Sequence, residues 1–146
     1  MRAVIQRVNY ASVTVDGIVT GKIGKGLAVL VGFGKEDTEK NLSAMANKIV
    51  NMRIFSNDEG RFDFSLLDTK GGILLVPQFT LFADTSHGRR PEFFTALEPD
   101  KATLMFDKFI KIVKECGITE VGCGVFGADM KFALENDGPV TIMLEV

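Results

Sequence analysis

The segment Gln78-Phe79-Thr80 combines an amide, an aromatic ring and a hydroxyl directly after Pro77, which itself follows the apolar run 73–76. Proline removes a donor from the hydrogen-bond ladder of a strand, so it belongs at an edge, a strand end or a bulge. It therefore predicts that the strand is interrupted here and that backbone groups are freed. If the chain stays extended, Gln78 and Thr80 share one face and Phe79 points to the other. Taken alone, a strand with a solvated polar face explains the segment better than a catalytic site.

Two later segments are rich in glycine. In the run 124–130, two glycines flank Phe126 before Met130, so the backbone can come close to a neighbouring strand or a ligand. A tight turn between strands is the simpler interpretation, and no Gly-x-Gly-x-x-Gly pattern precedes a helix. In the run 136–141, Asn, Asp, Gly138 and Pro139 form a strong turn signal. By itself it predicts an ordinary hairpin with a trans peptide bond.

The segment His87-Gly88-Arg89-Arg90-Pro91 places two adjacent arginines in a polar, glycine-containing stretch. Forked guanidinium groups suit contacts with phosphate, so Arg89 and Arg90 are candidate phosphate contacts. A solvated surface loop explains them equally well. His87 has no obvious carboxylate or nucleophile partner in the local sequence, so a Ser-His-Asp triad gains no support.

The composition indicates one domain, residues 1–146, of an ordinary globular type, with 46% hydrophobic and 25% charged residues. No apolar run approaches the roughly 20 residues that cross a bilayer. The first residues lack the long apolar stretch of a secretion signal. We therefore expect a cytoplasmic protein with no membrane association.

The net charge is −2, which argues against a protein that coats nucleic acid without specificity. It leaves open a protein that holds a single RNA end with a few local cations. Cys116 and Cys123 are the only cysteines and His87 the only histidine, so the usual zinc ligands are missing. We expect no metal, and we expect the two cysteines to serve packing.

Hydrophobic periodicity predicts an α+β fold in which strands dominate. One helix begins at Asp37 or Thr38, and another covers about 100–115. Residues 84–91 are expected to form a surface loop. The residues predicted to face the core are Leu42, Met45, Ala46, Ile49 and Val50 in the first helix and Met105, Phe106, Phe109, Ile112 and Val113 in the second.

The predicted strands are 2–8, 12–15, 18–20, 27–33 and 73–76, with three more around 120–125, 130–135 and 140–146. Asp16-Gly17 is the turn of a hairpin. Together they predict a curved, barrel-like mixed sheet with two main helices.

The order of these segments resembles the D-aminoacyl-tRNA deacylase family over the full length, Met1 to Val146. The matching segments are Met1-Arg2-Ala3-Val4-Ile5-Gln6-Arg7-Val8, Gln78-Phe79-Thr80-Leu81, Gly88 with Arg90-Pro91 and Phe93, Phe126-Gly127-Ala128-x-Met130, and Asn136-Asp137-Gly138-Pro139-Val140-Thr141. Each is weak alone, but so many in the same order are specific.

The resemblance implies an enzyme that cleaves the ester bond of D-aminoacyl-tRNA, and also glycyl-tRNA, while rejecting L-aminoacyl-tRNA. It implies a homodimer in which a cis Gly138-Pro139 pair enters the partner's pocket and excludes an L side chain. Arg7 matches the residue that holds this pair in orientation. Phe126 and Met130 are expected on the adenosine side of the pocket, which receives the 3′ end of aminoacyl-tRNA.

The chain departs from the family at Pro77, where the family usually has Ser. That change resembles a paralogue of relaxed chirality, which also has Ala at the position of Phe79. Because Phe79 and the Asn-Asp-Gly-Pro segment are intact here, the resemblance is to the main family. The missing hydroxyl puts in doubt any mechanism that uses it.

Cleaving such an ester requires no cofactor, and two mechanisms remain open. Thr80 could act as nucleophile or position water, although no base for it is apparent in sequence. Alternatively, the 2′-hydroxyl of the terminal adenosine assists water, while Gln78, Phe79 and Thr80 contribute mainly backbone donors and shape. The family resemblance favours the second. A non-catalytic tRNA-end binding module and a metabolite esterase are the alternatives from other classes.

Overall fold

A computed structural model describes residues 1–146, and its main sheet is built around one long strand that pairs with three others. The strands are β1 (Arg2–Val15), β2 (Ile18–Ile23), β3 (Gly26–Gly32), β4 (Phe55–Ser56), β5 (Phe62–Phe64), β6 (Gly72–Pro77), β7 (Val121–Cys123) and β8 (Lys131–Glu145). The helices are α1 (Glu39–Asn51), α2 (Leu66–Thr69), α3 (Pro99–Glu115) and a 3₁₀ helix (Phe79–Phe82). No helix combines the length and apolar character that crossing a membrane requires.

The main sheet is mixed and curls into a nearly closed barrel in the order β2-β1-β3-β6-β7. β1 pairs antiparallel with β3 over its first half and with β2 over its second, while β3–β6 and β6–β7 are parallel. β2 and β7 then meet at Gly21, where a Cβ atom would lie 2.6 Å from the carbonyl oxygen of Cys123. β8 pairs with the other edge of β1 along nearly its whole length. The predicted α+β fold with a curved, barrel-like mixed sheet is confirmed.

Two apolar clusters hold the barrel and its helices together. Within the barrel lies a cluster of seven buried residues, which are Val8, Ala11, Val13, Ile23, Ala28, Leu74 and Val76. On the outer face, α1 and α3 cover the sheet around a larger cluster that includes Leu27, Val29, Phe106 and Phe109. β3 and β6 are buried on both faces, which is why they read as continuous apolar runs.

The predicted helices are confirmed, with small differences. Thr38 is the N-cap of α1, and all five predicted core residues of this helix are buried. In α3, Phe106, Phe109 and Val113 are buried together with Ala102, while Met105 and Ile112 are only half-buried. The third helix, α2, is a single turn that the periodicity did not predict.

The predicted breaks at both ends of the chain are wrong. Residues 2–8 and 12–15 belong to one strand, because β1 bends and changes partner from β3 to β2 without leaving the sheet. The two strands predicted at 130–135 and 140–146 are likewise one strand, β8. The segment between them is not a hairpin, since both halves pair with β1 and the residues between bulge out of the ladder.

Candidate functional site

Gln78-Phe79-Thr80 lies where β6 ends and the 3₁₀ helix begins. Pro77 is the last residue of β6, as its lack of a donor predicted, and the Gln78 amide still donates to the Val31 carbonyl at 2.8 Å. The chain then turns into the helix, so the expected alternation of an extended segment does not occur. The first amides of such a helix have no partner within it, which leaves donors that a ligand can use.

The side chains of this segment are largely exposed, and one hydrogen bond links two of them. Gln78 Nε2 donates to Thr80 Oγ1 at 2.5 Å, and no acidic or basic side chain bonds to that hydroxyl. Phe79 is 52% exposed and meets the edge of Phe93, with ring centroids 5.0 Å apart. The hydroxyl of Thr80 therefore has an amide neighbour and no base that could remove its proton.

Two cavities open on either side of Phe79. One, of about 450 Å³, is lined by aromatic and apolar residues including Phe79, Phe93, Leu97 and Phe126. The other, of about 320 Å³, is lined by Gln78, Phe79 and Met130 among others. The structure thus brings Gln78 and Phe79 together with Phe126 and Met130, whereas Thr80 lines neither cavity.

Gly138 and Pro139 protrude from β8 in a wide bulge, and the peptide bond between them is cis. Gln6 pairs with Thr141 and Val8 with Asn136, so one residue of β1 faces four of β8. Asn136 spans the base of the bulge, because its Oδ1 accepts from the Val140 amide at 2.7 Å and its Nδ2 donates to the Val140 carbonyl at 3.2 Å. Both Gly138 and Pro139 are exposed.

Arg7 fixes this bulge from the opposite strand. Its Nε donates to the Asp137 carbonyl at 3.0 Å and lies 3.3 Å from the Asp137 carboxylate. Its Nη1 donates to the Ile54 carbonyl at 2.7 Å, and the whole residue is only 8% exposed. A Cβ on Gly138 would lie 3.2 Å from Nη2, so glycine allows the guanidinium to lie directly against the bulge.

Within one chain, the bulge and the Gln78–Thr80 segment do not meet. Arg2, at one end of β1, donates to the Leu81 carbonyl of the 3₁₀ helix, whereas Arg7 holds the bulge five residues farther along the strand. At about 3.3 Å per residue, these anchor points are about 16 Å apart. Neither Gly138 nor Pro139 lines either cavity.

The loop carrying Arg89 and Arg90 is on the surface, as predicted. An isolated bridge between Asp84 and Glu92 closes its base, and both arginines are exposed without an ion pair. The loop leads into Phe93 and Phe94 of the larger cavity but does not itself line it.

The cysteines lie away from these cavities and are poor nucleophiles. Burial raises the pKa of the Cys116 thiol and of the Cys123 thiol, which keeps both protonated near neutral pH. No three His, Cys, Asp or Glu side chains come together in a group that could hold a metal ion.

Sequence reasoning missed the roles of four residues around the site. Phe93 entered only as a family match, although it forms the wall facing Phe79. Arg2 contacts the 3₁₀ helix, and Lys35 lines the larger cavity. Asn136 was interpreted as a turn residue, whereas its side chain spans the bulge. Of these residues, only Arg2 could have been found from the sequence, because it is a cation on the same predicted strand as Arg7.

Comparisons with known proteins match this chain from end to end. The family model described as D-Tyr-tRNA(Tyr) deacylase matches residues 4–145. A D-aminoacyl-tRNA deacylase of Thermosipho melanesiensis is 53% identical over 146 residues, covering 99% of this chain and 97% of that protein. One of Roseiflexus castenholzii is 55% identical over 145 residues, covering 99% and 92%.

Solved structures agree in fold. A structure described as c-Myc DNA Unwinding Element Binding Protein superposes with a TM-score of 0.94 at 40% identity, covering 100% of this chain and 99% of that one. A probable eukaryotic D-amino acid tRNA deacylase superposes with a TM-score of 0.87 at 19% identity, covering 99% and 98%, and is similar in fold alone. Because the family model and the curated relatives cover nearly the whole chain, the chain belongs to the D-aminoacyl-tRNA deacylase family.

Proposed function

We propose that this protein hydrolyses the ester bond between a D-amino acid and the terminal ribose of tRNA, releasing free tRNA and the D-amino acid. Family membership gives the reaction class. The observation that carries the proposal is the position of Phe79, next to Gln78, between two cavities, with Phe126 on one side and Met130 on the other. Such a substrate would make the cytoplasm the place of action.

The larger cavity suits the terminal adenosine. Its volume of about 450 Å³ falls within the range of small-molecule sites. The edge-to-face pair of Phe79 and Phe93, with Phe126 beyond it, offers aromatic surface on which a base can stack. A base held there would bring the ribose, and the ester on its 3′-oxygen, next to the start of the 3₁₀ helix.

The chemistry that fits this arrangement is attack by water, assisted by the RNA. Water adds to the ester carbonyl while the neighbouring 2′-hydroxyl relays its proton; the bond to the 3′-oxygen then breaks and that oxygen takes up a proton. The free amides of Phe79 and Thr80 would stabilise the developing oxyanion. Thr80 is not the nucleophile, because its hydroxyl bonds only to the side-chain amide of Gln78 and has no base beside it.

Rejection of L-aminoacyl-tRNA is assigned to the bulge. Gly138 and Pro139 are exposed on a bulge that Arg7 holds through Asp137, yet neither residue lines the cavities of its own chain. Entry into the pocket of a second copy, in a homodimer, would give them a substrate to contact. Their carbonyl groups would leave no space for an L side chain. Glycine has no side chain, so glycyl-tRNA would also be cleaved.

Hydrolysis of D-Tyr-tRNA, L-Tyr-tRNA and Gly-tRNA, each compared with buffer, tests the function. We expect turnover of the D-aminoacyl and glycyl substrates and little of the L-aminoacyl substrate. Binding without turnover would instead make the protein a tRNA-end binding module. Comparable turnover of D- and L-substrates would make it a deacylase of relaxed chirality.

The mechanism is tested by Thr80→Ala and by D-Tyr-tRNA ending in 2′-deoxyadenosine. We expect Thr80→Ala to stay within about tenfold of wild type, because loss of an essential nucleophile costs far more. We expect the deoxy substrate to react much more slowly. An inactive but folded Thr80→Ala protein, with a covalent acyl intermediate in wild type, would favour an esterase that uses Thr80.

A further inference from the structure

We propose that Lys35 binds the phosphate on the 5′ side of the terminal nucleoside, and so determines how tightly the tRNA end is held. This inference rests on the proposed function, because it concerns the same substrate. It adds a residue and a contact that neither the sequence motifs nor the family match assigned.

The larger cavity has a distinctive charge distribution. Of the residues that line it, Lys35 is the only basic one and Glu98 the only acidic one. The remaining wall is mostly aromatic and aliphatic. A nucleoside can fill such a space, but a phosphate requires water or a cation around it, so it must lie at the rim.

Lys35 is held at this rim by its backbone. Its amide donates to the Thr95 carbonyl at 3.1 Å, and the neighbouring Gly34 forms a bridge with Ala96. These contacts join the end of β3 to the segment that contributes Phe93, Phe94 and Leu97 to the wall. The long side chain is exposed and can move toward a ligand while its backbone stays in place.

The positive charge of Lys35 is not neutralised by an ion pair with Glu98. The Glu98 carboxylate already pairs with Lys101 at 3.7 Å, whereas Lys35 forms no ion pair. The pKa of Glu98 is lowered first by a hydrogen bond from its own backbone, then by Lys101, with a smaller contribution from Lys35. Two lysines therefore lie near one carboxylate. Because Lys101 already pairs with that carboxylate, the charge of Lys35 can pair with a ligand.

Arg89 and Arg90 are less suited to this first phosphate. They are exposed on the loop 84–92, and neither lines the cavity. Because successive phosphates of a single strand are several ångströms apart, these arginines would contact nucleotides farther from the ester. Lys35 is the cation next to the nucleoside itself.

The test compares two substrates, D-Tyr-tRNA and 3′-O-(D-tyrosyl)adenosine, which has no phosphate. In Lys35→Ala we expect KM for the tRNA to rise about tenfold with kcat unchanged, and the salt dependence of log(1/KM) to weaken by about one phosphate contact. On the adenosine ester KM should rise much less than on the tRNA, because that substrate has no phosphate for Lys35 to bind. Lys35→Arg should restore most of the affinity for tRNA.

Lys111→Ala is the matched control, because it removes the same charge from a lysine that is exposed on α3 and forms no ion pair. Equal changes in Lys35→Ala and Lys111→Ala would overturn the proposal in favour of a general field. Equal losses on both substrates, or no change on tRNA, would also overturn it. Absence of turnover by the wild-type protein on either substrate would instead contradict the proposed function.

Discussion

At the residue scale, Arg7 performs a task that a lysine could not. Its guanidinium bonds in two directions, to the Ile54 carbonyl and to the Asp137 carbonyl, while remaining almost wholly buried. Arginine presents several fixed donors, whereas lysine presents one compact charge. The orientation of the bulge therefore depends on this side chain, and the resemblance had implied the same role.

We expect Arg7→Lys to lower the free energy of unfolding by about 1–3 kcal/mol, since one carbonyl loses a charged donor in a buried setting. The variant should also hydrolyse L-Tyr-tRNA faster than wild type while retaining activity on D-Tyr-tRNA. Denaturant titration and the ratio of the two rates measure these effects. Arg61→Lys is the control, because Arg61 is exposed and pairs only with Glu59. An unchanged D/L ratio in Arg7→Lys would remove Arg7 from the chirality filter.

At the element scale, the 3₁₀ helix is held in place by the start of β1. Arg2 Nη1 donates to the Leu81 carbonyl at 3.1 Å, and the guanidinium lies 4.7 Å from the centroid of the Phe82 ring. Its Nε also bonds to Glu145 at 3.2 Å, near the end of β8. One side chain therefore joins the strand that carries the bulge to the helix that carries Phe79 and Thr80.

We expect Arg2→Ala to lower kcat about tenfold, because a charged hydrogen bond that is partly exposed contributes at the low end of about 1.5–3 kcal/mol and about 1.4 kcal/mol is tenfold in rate. KM should change little, and Arg2→Lys should recover part of kcat. Steady-state kinetics on D-Tyr-tRNA separate the two parameters. If Arg2→Ala changes only the melting temperature, the contact is structural and does not position the helix for catalysis.

Sequence periodicity predicted elements well where burial is regular. The core face of α1 and the buried β3 and β6 follow directly from apolar spacing. It failed where tertiary pairing overrides local signals. Asn136 to Pro139 has the composition of a turn, but β1 offers pairing on both sides of it, so a continuous strand with a bulge is more stable. For the same reason the sequence did not indicate Lys35, whose position depends on a bridge to a segment about sixty residues away.

At the scale of the whole molecule, the two halves of the proposed site are separate within one chain. The bulge at Gly138-Pro139 is exposed opposite the middle of β1, and neither of its two residues lines the cavities beside Phe79. Large apolar side chains are also exposed, among them Phe79 at 52% and Met143 at 81%. A surface with these features is typical of one that a second copy covers. Light scattering should then give a mass about twice the 16.0 kDa of one chain.

Mixed dimers test whether each site takes residues from both copies. One variant has Gly138-Pro139 replaced by Ala-Ala, and the other has Phe79→Ala in the pocket. Alone, we expect the first to accept L-Tyr-tRNA and the second to lose most activity. In a mixed dimer whose sites are shared between copies, one site combines an intact pocket with an intact bulge. Differently tagged copies, purified together, should therefore recover about half of the wild-type rate on D-Tyr-tRNA and reject L-Tyr-tRNA again. If each chain instead used its own bulge, the mixed dimer would have no intact site and would still cleave the L-substrate.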